Sequence, residues 1–478
     1  MVDARGSSFV VENPSEGTSL CSFNAATTSI LAAAVDAAQD VQKRRWGRLP
    51  PLERSITLRR LGGLVQENKE KFAMLEAVCS GMCIRDARES MDSCAQCFDI
   101  AASLSLAHHG SVLRSFTHNG RQVSSTTRVE PLGVCAFITP SNYPLELGIW
   151  KMAFSLAAGN TVVWKPPESA PLTAMFLGEL MTQNGVDVVN IVHGGSDVGT
   201  LLSTHKNIDL VGFTGSRAVG QQVLNAASST SKRVQLELGG NSSLIYDGTT
   251  SVSSCVTLAM QCFSNSGQSC TAIRRCFVPR DKLWEFLETL VARITLRSLG
   301  HALEPLTEQG PMHSGRALQK VLDAIGDATK LGAEIVVGGC RAIFPGGYFM
   351  SPTILLIQKH LHHLVQEETF GPVLCVIPYD PVDVVEPSAS EKATTCNLLS
   401  MCNSTTYALS SVVCSNDAAF IERCTQQIAA GTLWVNTVDA MNATTPFGGV
   451  RAGSGFGKDL GLDALTQYSN IKVVTTCL

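Results

Sequence analysis

The chain has 478 residues, of which 45% are hydrophobic and 16% are charged, and its formal net charge at pH 7 is −4. This length exceeds what a single hydrophobic core usually supports, so two or three globular domains are expected. A slightly acidic chain gives no electrostatic reason to expect a nucleic acid or an anionic membrane as partner. No apolar run reaches the length of a membrane span, and residues 1–6 lack the apolar core of a signal peptide, which favours a cytoplasmic protein.

The 17 cysteines are expected to be mostly free thiols, because a protein without a signal peptide stays in a reducing compartment. Cys94 and Cys97 form a C-x-x-C pair, but no second pair stands at the spacing of a zinc site. The sequence therefore predicts no bound metal.

The N-terminal part of the chain has helical patterns. Residues 28–46 are rich in alanine and predict a helix, which the prolines at 50 and 51 separate from a second one. Apolar residues then recur on one helical face as far as Gly81, namely Leu58, Leu61, Leu64, Val65, Phe72, Leu75 and Val78. These helices are predicted to serve packing.

Residues 112–131 alternate in the manner of an exposed hairpin, and strands and helices alternate after them. Apolar runs predict buried strands at 133–138, 161–164, 188–192, 209–213 and 234–238. Helical patterns such as 144–158 and 170–183 lie between them. Continuous apolar strands separated by helices predict an α/β fold whose parallel sheet is covered on both faces, with ligands at the carboxyl ends of the strands.

Small and polar residues follow four of these strands, at 139–144, 165–168, 214–220 and 237–241. Each set stands where a cofactor would lie in such a sheet. The segment from Gly215 to Gly220 lacks the G-x-G-x-x-G fingerprint, but a Gly-Ser pair at a helix N-terminus can hold a phosphate through backbone N–H groups.

Cys270 follows the turn Gly267-Gln268-Ser269. A thiol placed directly after such a turn suits a nucleophile whose oxyanion is stabilised by backbone N–H groups. Taken alone, this cysteine is more readily interpreted as a small buried hydrophobe, as free cysteines usually are.

Ordered motifs along nearly the whole chain, from about Asn13-Pro14 onward, change that interpretation. They are I-T-P-S-N-Y-P (138–144), W-K-P-P-E (164–168), G-F-T-G-S (212–216), L-E-L-G-G (236–240), G-Q-S-C (267–270), E-E-T-F-G-P-V (367–373), W-V-N (434–436) and P-F-G-G (446–449). In this order they resemble the NAD(P)-dependent aldehyde dehydrogenase superfamily. The resemblance implies an α/β fold with two Rossmann-like parallel-sheet domains, one for the cofactor and one for catalysis, plus a small β oligomerisation domain.

The resemblance also implies three catalytic roles. Cys270 would be the nucleophile that forms a thiohemiacetal and then a thioester, and Asn142 would donate to the oxyanion together with the Cys270 backbone N–H. Glu237 would activate the water that hydrolyses the thioester.

NAD is the cofactor that the resemblance implies, with NADP less favoured. Lys165 and Glu168 would hold the adenosine ribose, where a carboxylate accepts from two hydroxyls and repels a 2′-phosphate. Ser216 would contact the pyrophosphate, and Glu368 and Phe370 would position the nicotinamide ribose and ring. The remaining expected cofactor contacts are Ile138, Thr139, Pro140, Gly215, Gly220 and Leu238.

The aldehyde would lie among Tyr143, Trp150, Met441 and Phe447. Residues 454–461 are most similar to betaine aldehyde and aminobutyraldehyde dehydrogenases, whose substrates are cationic, and Asp439 is a candidate acid for such a substrate. Other semialdehydes and simple aliphatic aldehydes remain open as substrates.

The expected domains are a cofactor domain (1–112 and 132–238), a catalytic domain (239–452) and a bridging segment (113–131 and 453–478). Relatives cover the exposed edges of the bridging sheet by dimerising, so a homodimer or homotetramer is expected. Two departures from the family pattern are Ser141, where tryptophan is usual, and one extra residue in the loop 452–458. That loop nearly matches a phosphate-binding P-loop, but Asp459 replaces the required Ser or Thr, and ATP binding is not expected.

Two alternative functions stand beside this interpretation. A CoA-acylating relative would release the thioester to CoA, but Glu237 argues against it, because an activated water would consume the intermediate. A catalytically silent relative would have no need of Cys270, Asn142 and Glu237 together.

Overall fold

Three main sheets organise the part of the chain that the computed structural model describes, residues 6–380 and 398–477. The N-terminal part precedes them and consists of a hairpin and a group of helices. Their bounds are β1 (Ser8–Asn13), β2 (Thr18–Asn24), α1 (Thr28–Arg44), α2 (Pro51–Glu67), α3 (Lys69–Ser80) and α4 (Ile84–Ala107).

The helix boundaries follow from local chemistry. The Thr27 side chain accepts from the Ile30 N–H and caps α1, and Pro51 occupies the first turn of α2, where a missing N–H costs nothing. Gly81 ends α3 with a φ of +82°, a conformation that glycine adopts without strain. The first predicted helix is present and ends at Arg44, whereas the pattern from 51 to 81 forms two helices, which are divided at Asn68.

The first large sheet has six strands in the order β17-β9-β8-β5-β6-β7, with β17 antiparallel and the others parallel. Its strands are β5 (Val134–Ile138), β6 (Thr161–Lys165), β7 (Val189–Ile191), β8 (Leu210–Thr214), β9 (Arg233–Glu237) and β17 (Gly455–Phe456). The helices between them are α5 (Glu146–Ala157), α6 (Leu172–Gln183), α7 (Ser196–Thr204) and α8 (Arg217–Ser228). All five strands predicted from apolar runs are present, and β5, β6 and β8 are buried along their whole length.

The second large sheet has seven strands in the order β12-β13-β14-β11-β10-β15-β16, with β12 antiparallel. They are β10 (Ser242–Tyr246), β11 (Ile273–Pro279), β12 (Glu334–Val337), β13 (Thr353–Leu356), β14 (Val373–Tyr379), β15 (Ser410–Cys414) and β16 (Thr432–Val435). The later helices are α9 (Val252–Ala259), α10 (Leu283–Thr295), α11 (Gly315–Lys330), α12 (His363–Gln366), α13 (Leu398–Cys402), α14 (Ala418–Gln427) and α15 (Gly461–Gln467). Two parallel sheets with covering helices confirm the predicted α/β class.

A small antiparallel sheet joins the middle of the chain to its C-terminal strand. Its order is β18-β4-β3, from β3 (Phe116–His118), β4 (Arg121–Pro131) and β18 (Ser469–Cys477). The segment 453–478 thus contributes to two sheets, since β17 pairs with β9 and β18 pairs with β4. The domain boundaries themselves stay a prediction.

The described helices have no membrane-spanning character. Across residues 6–380 and 398–477, no helix combines the length and the apolar composition needed to cross a bilayer.

Candidate active site

The polar residues after the strands of the six-stranded sheet surround a cavity of about 290 Å³. It lies at the carboxyl ends of β5, β6 and β8, where a parallel sheet binds ligands. Six of the predicted cofactor residues line it: Ile138, Thr139, Pro140, Lys165, Glu168 and Gly215. This cavity is called the strand-end cavity below.

Lys165 and Glu168 form an ion pair in the wall of the strand-end cavity, with 3.1 Å between Nζ and Oε2. The Lys165 side chain is 6% exposed and also donates to the Pro166 carbonyl, whereas the Glu168 side chain is 49% exposed. The buried lysine fixes one carboxylate oxygen and leaves the other free to accept from a ligand hydroxyl.

Three of the predicted cofactor residues around α8, namely Ser216, Gly220 and Leu238, are not in this lining. The Ser216 hydroxyl accepts from the Val219 N–H and caps α8, and Gly220 lies against Leu238, where a Cβ would overlap the leucine side chain. Ser216 therefore helps to place the N-terminus of α8 beside the cavity.

Sequence reasoning missed the part of the strand-end cavity that α7 and α8 provide. The missed lining residues include Gly195, Ser196, Gly199, Thr200, Ser203, Gln222 and Ala226. A signal existed, because Gly194-Gly195-Ser196 follows β7 in the same glycine-and-serine pattern that marks the end of β8.

The Cys270 loop is held in an unusual backbone conformation. Asn265 and Ser266 have φ angles of +46° and +55°, which are uncommon for residues with a Cβ, and Gly267 follows at +69°. A Cβ at Gly267 would overlap the Gly371 carbonyl, so only glycine fits there.

Arg274 stabilises this loop through hydrogen bonds to backbone carbonyls. Its buried guanidinium donates to the carbonyls of Gly371 at 2.6 Å and Ser269 at 3.2 Å, and also to that of Gly267. Strained backbone of this kind persists only where the surroundings fix it, and it concentrates at functional sites.

Cys270 lines a second cavity of about 350 Å³, which is called the thiol cavity below. The four residues predicted to surround the aldehyde, Tyr143, Trp150, Met441 and Phe447, all line it together with Asn142. The rings of Trp150 and Phe447 meet edge to face, with centroids 5.4 Å apart. Four separate stretches of chain thus meet around one thiol.

Asn142 is held against the Cys270 loop. The side-chain Nδ2 of Asn142 donates to the Gln268 backbone carbonyl at 3.0 Å. The backbone carbonyl of Asn142 accepts from Asn265 Nδ2 at 3.0 Å. An amide carries two N–H groups, so the first bond fixes the side chain and leaves the second N–H available to another acceptor.

Glu237 is a buried acid for which the described residues supply no hydrogen-bond partner. The residue is 3% exposed, neither carboxylate oxygen is paired, and a Cβ at Gly448 would overlap Oε1. Burial raises its pKa well above the usual range, Asp459 adds to the shift, and Lys151 and Lys458 oppose it. A buried unpaired carboxyl with a raised pKa is suited to proton transfer.

The environment of Cys270 also favours its neutral form. Burial raises the pKa of the thiol, and the nearby carboxylates of Glu368, Glu237 and Asp439 raise it further. Glu368 accepts from the Gly240 N–H at 3.1 Å, and burial raises its pKa to about 7. Phe370 is partly buried two residues further on and lines neither cavity.

A buried ion pair that sequence reasoning missed lies close to Glu237. Lys151 Nζ is 2.8 Å from Asp459 Oδ2, and Gln235 Nε2 donates to Asp459 Oδ1 at 2.7 Å. The available signal was Lys151 itself, a charge inside the apolar run of α5.

The charged residues in the described lining of the thiol cavity are all acidic. Asp86, Glu89, Glu146 and Asp439 contribute to it, and among the described lining residues there is no lysine, arginine or histidine. Of these acids the sequence singled out only Asp439. Within residues 6–380 and 398–477, no group of three or more acidic, histidine or cysteine side chains is arranged to hold a metal ion.

Comparison with known proteins places this geometry in context. A family model described as "Aldehyde dehydrogenase family" matches residues 1–474. Mitochondrial 10-formyltetrahydrofolate dehydrogenase of Homo sapiens is 35% identical over 98% of this chain and 50% of that protein. Betaine aldehyde dehydrogenase 1 of Oryza sativa is 34% identical over 97% of this chain and 91% of that protein.

Solved structures of aldehyde dehydrogenases have the same fold as this chain. A point mutant of betaine aldehyde dehydrogenase from Staphylococcus aureus, crystallised in complex with NAD+, superposes with a TM-score of 0.92 at 29% identity, covering 98% of this chain and 94% of that one. The chain spans about half the length of the 10-formyltetrahydrofolate dehydrogenases that it matches.

Proposed function

The chain belongs to the aldehyde dehydrogenase family, and from that premise we propose that it oxidises an aldehyde to a carboxylic acid with NAD as the oxidant. One observation carries the proposal: the Cys270 thiol lies in a cavity whose wall contains Asn142, and Glu237 is close enough to raise the pKa of that thiol. A nucleophile, an oxyanion donor and a base are the groups that thiol-dependent acyl chemistry requires.

The first step is addition of Cys270 to the aldehyde carbonyl. The Sγ–C bond forms, the thiol proton passes to the Glu237 carboxylate, and the carbonyl oxygen becomes an oxyanion. The free N–H of Asn142 and the Cys270 backbone N–H stabilise that oxygen, and the bond from Asn142 to the Gln268 carbonyl keeps the amide in position.

NAD, when bound, supplies the acceptor for the hydride that leaves the aldehyde carbon, and an acyl thioester remains on Cys270. Glu237 first releases the thiol proton to solvent and then takes a proton from water. The resulting hydroxide displaces the thiolate, which regains a proton from Glu237. The carboxylic acid leaves and the Cys270 thiol is restored, so aldehyde, NAD+ and water give acid, NADH and a proton.

The strand-end cavity fits the adenosine end of NAD. Its half-exposed Glu168 carboxylate, fixed by Lys165, is placed to accept from the ribose 2′- and 3′-hydroxyls and would repel a 2′-phosphate. The same cofactor is bound by the Staphylococcus aureus structure. NAD is therefore preferred to NADP.

A water-dependent reaction is favoured over transfer to CoA. Glu237 is buried, unpaired and electrostatically coupled to Cys270, which is the placement that a base for thioester hydrolysis needs. The substrate class that the acidic thiol cavity favours is an amino- or betaine-type aldehyde, since its lining combines carboxylates with the aromatic rings of Tyr143, Trp150 and Phe447.

The test is NADH formation, followed by absorbance, with a panel of cationic and neutral aldehydes. The wild-type protein is expected to reduce NAD with at least one aldehyde, with cationic substrates having the higher kcat/KM. Absence of NADH formation with every aldehyde, despite retained NAD binding, would favour a silent relative instead.

The exposed strand β18 supports a homodimer or a pair of dimers. Ile471 and Val473 on this edge strand are 66% and 58% exposed, and an apolar edge strand left uncovered promotes association. Light scattering at micromolar concentration is expected to show a dimer or tetramer, and a monomer alone would contradict this assembly.

A further inference from the structure

We infer that Glu146 determines specificity, by accepting hydrogen bonds from a primary ammonium group on the aldehyde. The inference rests on the proposed function and deepens it, because it assigns one carboxylate and one kind of cation to the substrate end of the thiol cavity. It distinguishes a protonated amine from a quaternary ammonium, which has no N–H to donate.

Glu146 is one of the two charged residues of α5, and the other, Lys151, is paired with Asp459. Glu146 begins α5, whose residues are all buried, in the sequence E-L-G-I-W-K-M-A-F. Glu146 and Trp150 are four positions apart, so they share one face of the helix, and both line the thiol cavity. The 8% of Glu146 that remains exposed is accessible in a site that also contains Cys270.

The donors around this carboxylate hold it in place without neutralising it. Ser90 Oγ donates to Oε2 at 2.7 Å, and Ser93 Oγ donates to Oε1. Both serines come from α4 and also line the cavity. An ionised carboxylate has about four acceptor positions, so two hydroxyls and the neighbouring Trp150 indole leave room for a further donor.

A cationic partner for Glu146 is missing from the described part of the protein, where no ion pair to it is found. Three other acids line the same cavity, namely Asp86, Glu89 and Asp439. Glu76 does not line the cavity, and it is fully buried. Burial raises the pKa of Glu146, and it raises that of Glu76 to about 8, so Glu76 is mostly protonated at neutral pH. A buried carboxylate without a counterion is costly, and an ammonium group entering the cavity would supply one.

The geometry favours an N–H donor over a quaternary nitrogen. Charge-assisted hydrogen bonds are roughly twice as strong as neutral ones, and a trimethylammonium group cannot form them. The aromatic rings of Trp150 and Phe447 attract either kind of cation through their faces, so they do not discriminate between the two. A carboxylate separates them, and Glu146 is the buried carboxylate in the described lining of this cavity.

The experiment compares three aldehydes of matched length: 3-aminopropanal, its trimethylammonio analogue and neutral butanal. In Glu146→Gln and Glu146→Leu, kcat/KM for 3-aminopropanal should fall by roughly 10- to 100-fold, the range for a hydrogen bond to a charged group. The loss should appear mainly in KM. The loss of kcat/KM for butanal should be much smaller than that for 3-aminopropanal, and circular dichroism checks that the variants fold.

Asp99→Asn is the matched control. It removes one negative charge from the same helix that carries Ser90 and Ser93, but Asp99 is 58% exposed and pairs with Arg59 outside the cavity. All three aldehydes should keep their wild-type kcat/KM within about twofold, as exposed ion pairs contribute little.

Three results would overturn the inference. Equal losses with 3-aminopropanal and butanal would make Glu146 only structural, and an unchanged KM for 3-aminopropanal would remove it from recognition. If kcat/KM for the trimethylammonio aldehyde falls as much as that for 3-aminopropanal, Glu146 recognises positive charge and not the N–H groups. In each case the proposed function stands as long as the wild-type protein oxidises butanal with NAD. If the wild-type protein oxidises none of the three aldehydes, the proposed function itself is contradicted.

Discussion

The two cavities of this protein are built in different ways. The strand-end cavity is bounded on one side by short motifs at the ends of parallel strands, such as 138–140, 165–168 and 213–215, and on the other by α7 and α8. The thiol cavity collects side chains from four distant stretches, 86–96, 142–150, 264–271 and 439–460. The first holds an acid already paired with a lysine, whereas the second gathers acids with no basic residue in its described lining. One site is thus defined by local backbone geometry and the other by long-range packing.

The largest expected effect separates the two cavities by their chemistry. Cys270→Ser should abolish NADH formation, because a serine hydroxyl is a far weaker nucleophile than a thiolate. NAD binding, measured by calorimetry, should stay within about twofold of wild type, since Cys270 lies in the thiol cavity. Turnover retained in this variant would refute the assignment of the nucleophile.

Glu237→Gln tests the base that serves the thiol cavity. General base catalysis contributes about 10²- to 10⁴-fold, so kcat should fall by that order. Only the ionised carboxylate can take a proton, and burial raises the pKa of Glu237 well above its usual range. Wild-type kcat should therefore rise with pH above the range in which an exposed carboxyl group ionises. The glutamine variant should lose this rise in a steady-state pH profile, and an unchanged profile would contradict the role.

Asn142→Ala tests the oxyanion donor. Loss of one preorganised donor costs about 3 kcal/mol, or 10²- to 10³-fold in kcat, and KM for NAD should be little affected. Steady-state kinetics with saturating NAD measures the difference. A loss below tenfold would mean that the Cys270 backbone N–H stabilises the oxyanion alone.

The smallest effect belongs to the strand-end cavity. Glu168→Gln keeps the shape of the side chain but removes the charge, so KM for NAD should rise about tenfold while NADP becomes a better substrate. The ratio of kcat/KM for the two cofactors measures this change. An unaltered ratio would show that α7 and α8, rather than Glu168, select the cofactor.

The strand-end side of the first cavity was accessible to sequence reasoning because its motifs are local, whereas the side formed by α7 and α8 was not. Lys165 and Glu168 stand three residues apart after a buried strand, and their pairing follows from that spacing. The part supplied by Ser196 and Thr200 was missed, because the Gly194-Gly195-Ser196 turn that precedes it was not recognised as a ligand-binding turn. The thiol cavity was predicted through its motif residues only, and Ser90, Ser93 and Glu146 were not recognised.

The sequence by itself determined the α/β class and the five parallel strands of the first large sheet, which follow from apolar periodicity. Asn142, Glu237 and Cys270 stand out through the ordered motifs that resemble the family, and their roles stay predictions. Only the tertiary structure decided that Glu237 is buried without a partner, that Lys151 pairs with Asp459, and that Glu146 faces the same cavity as Cys270. The physical reason is that burial, pairing and charge depend on residues far apart in the chain, whose distances are set by packing.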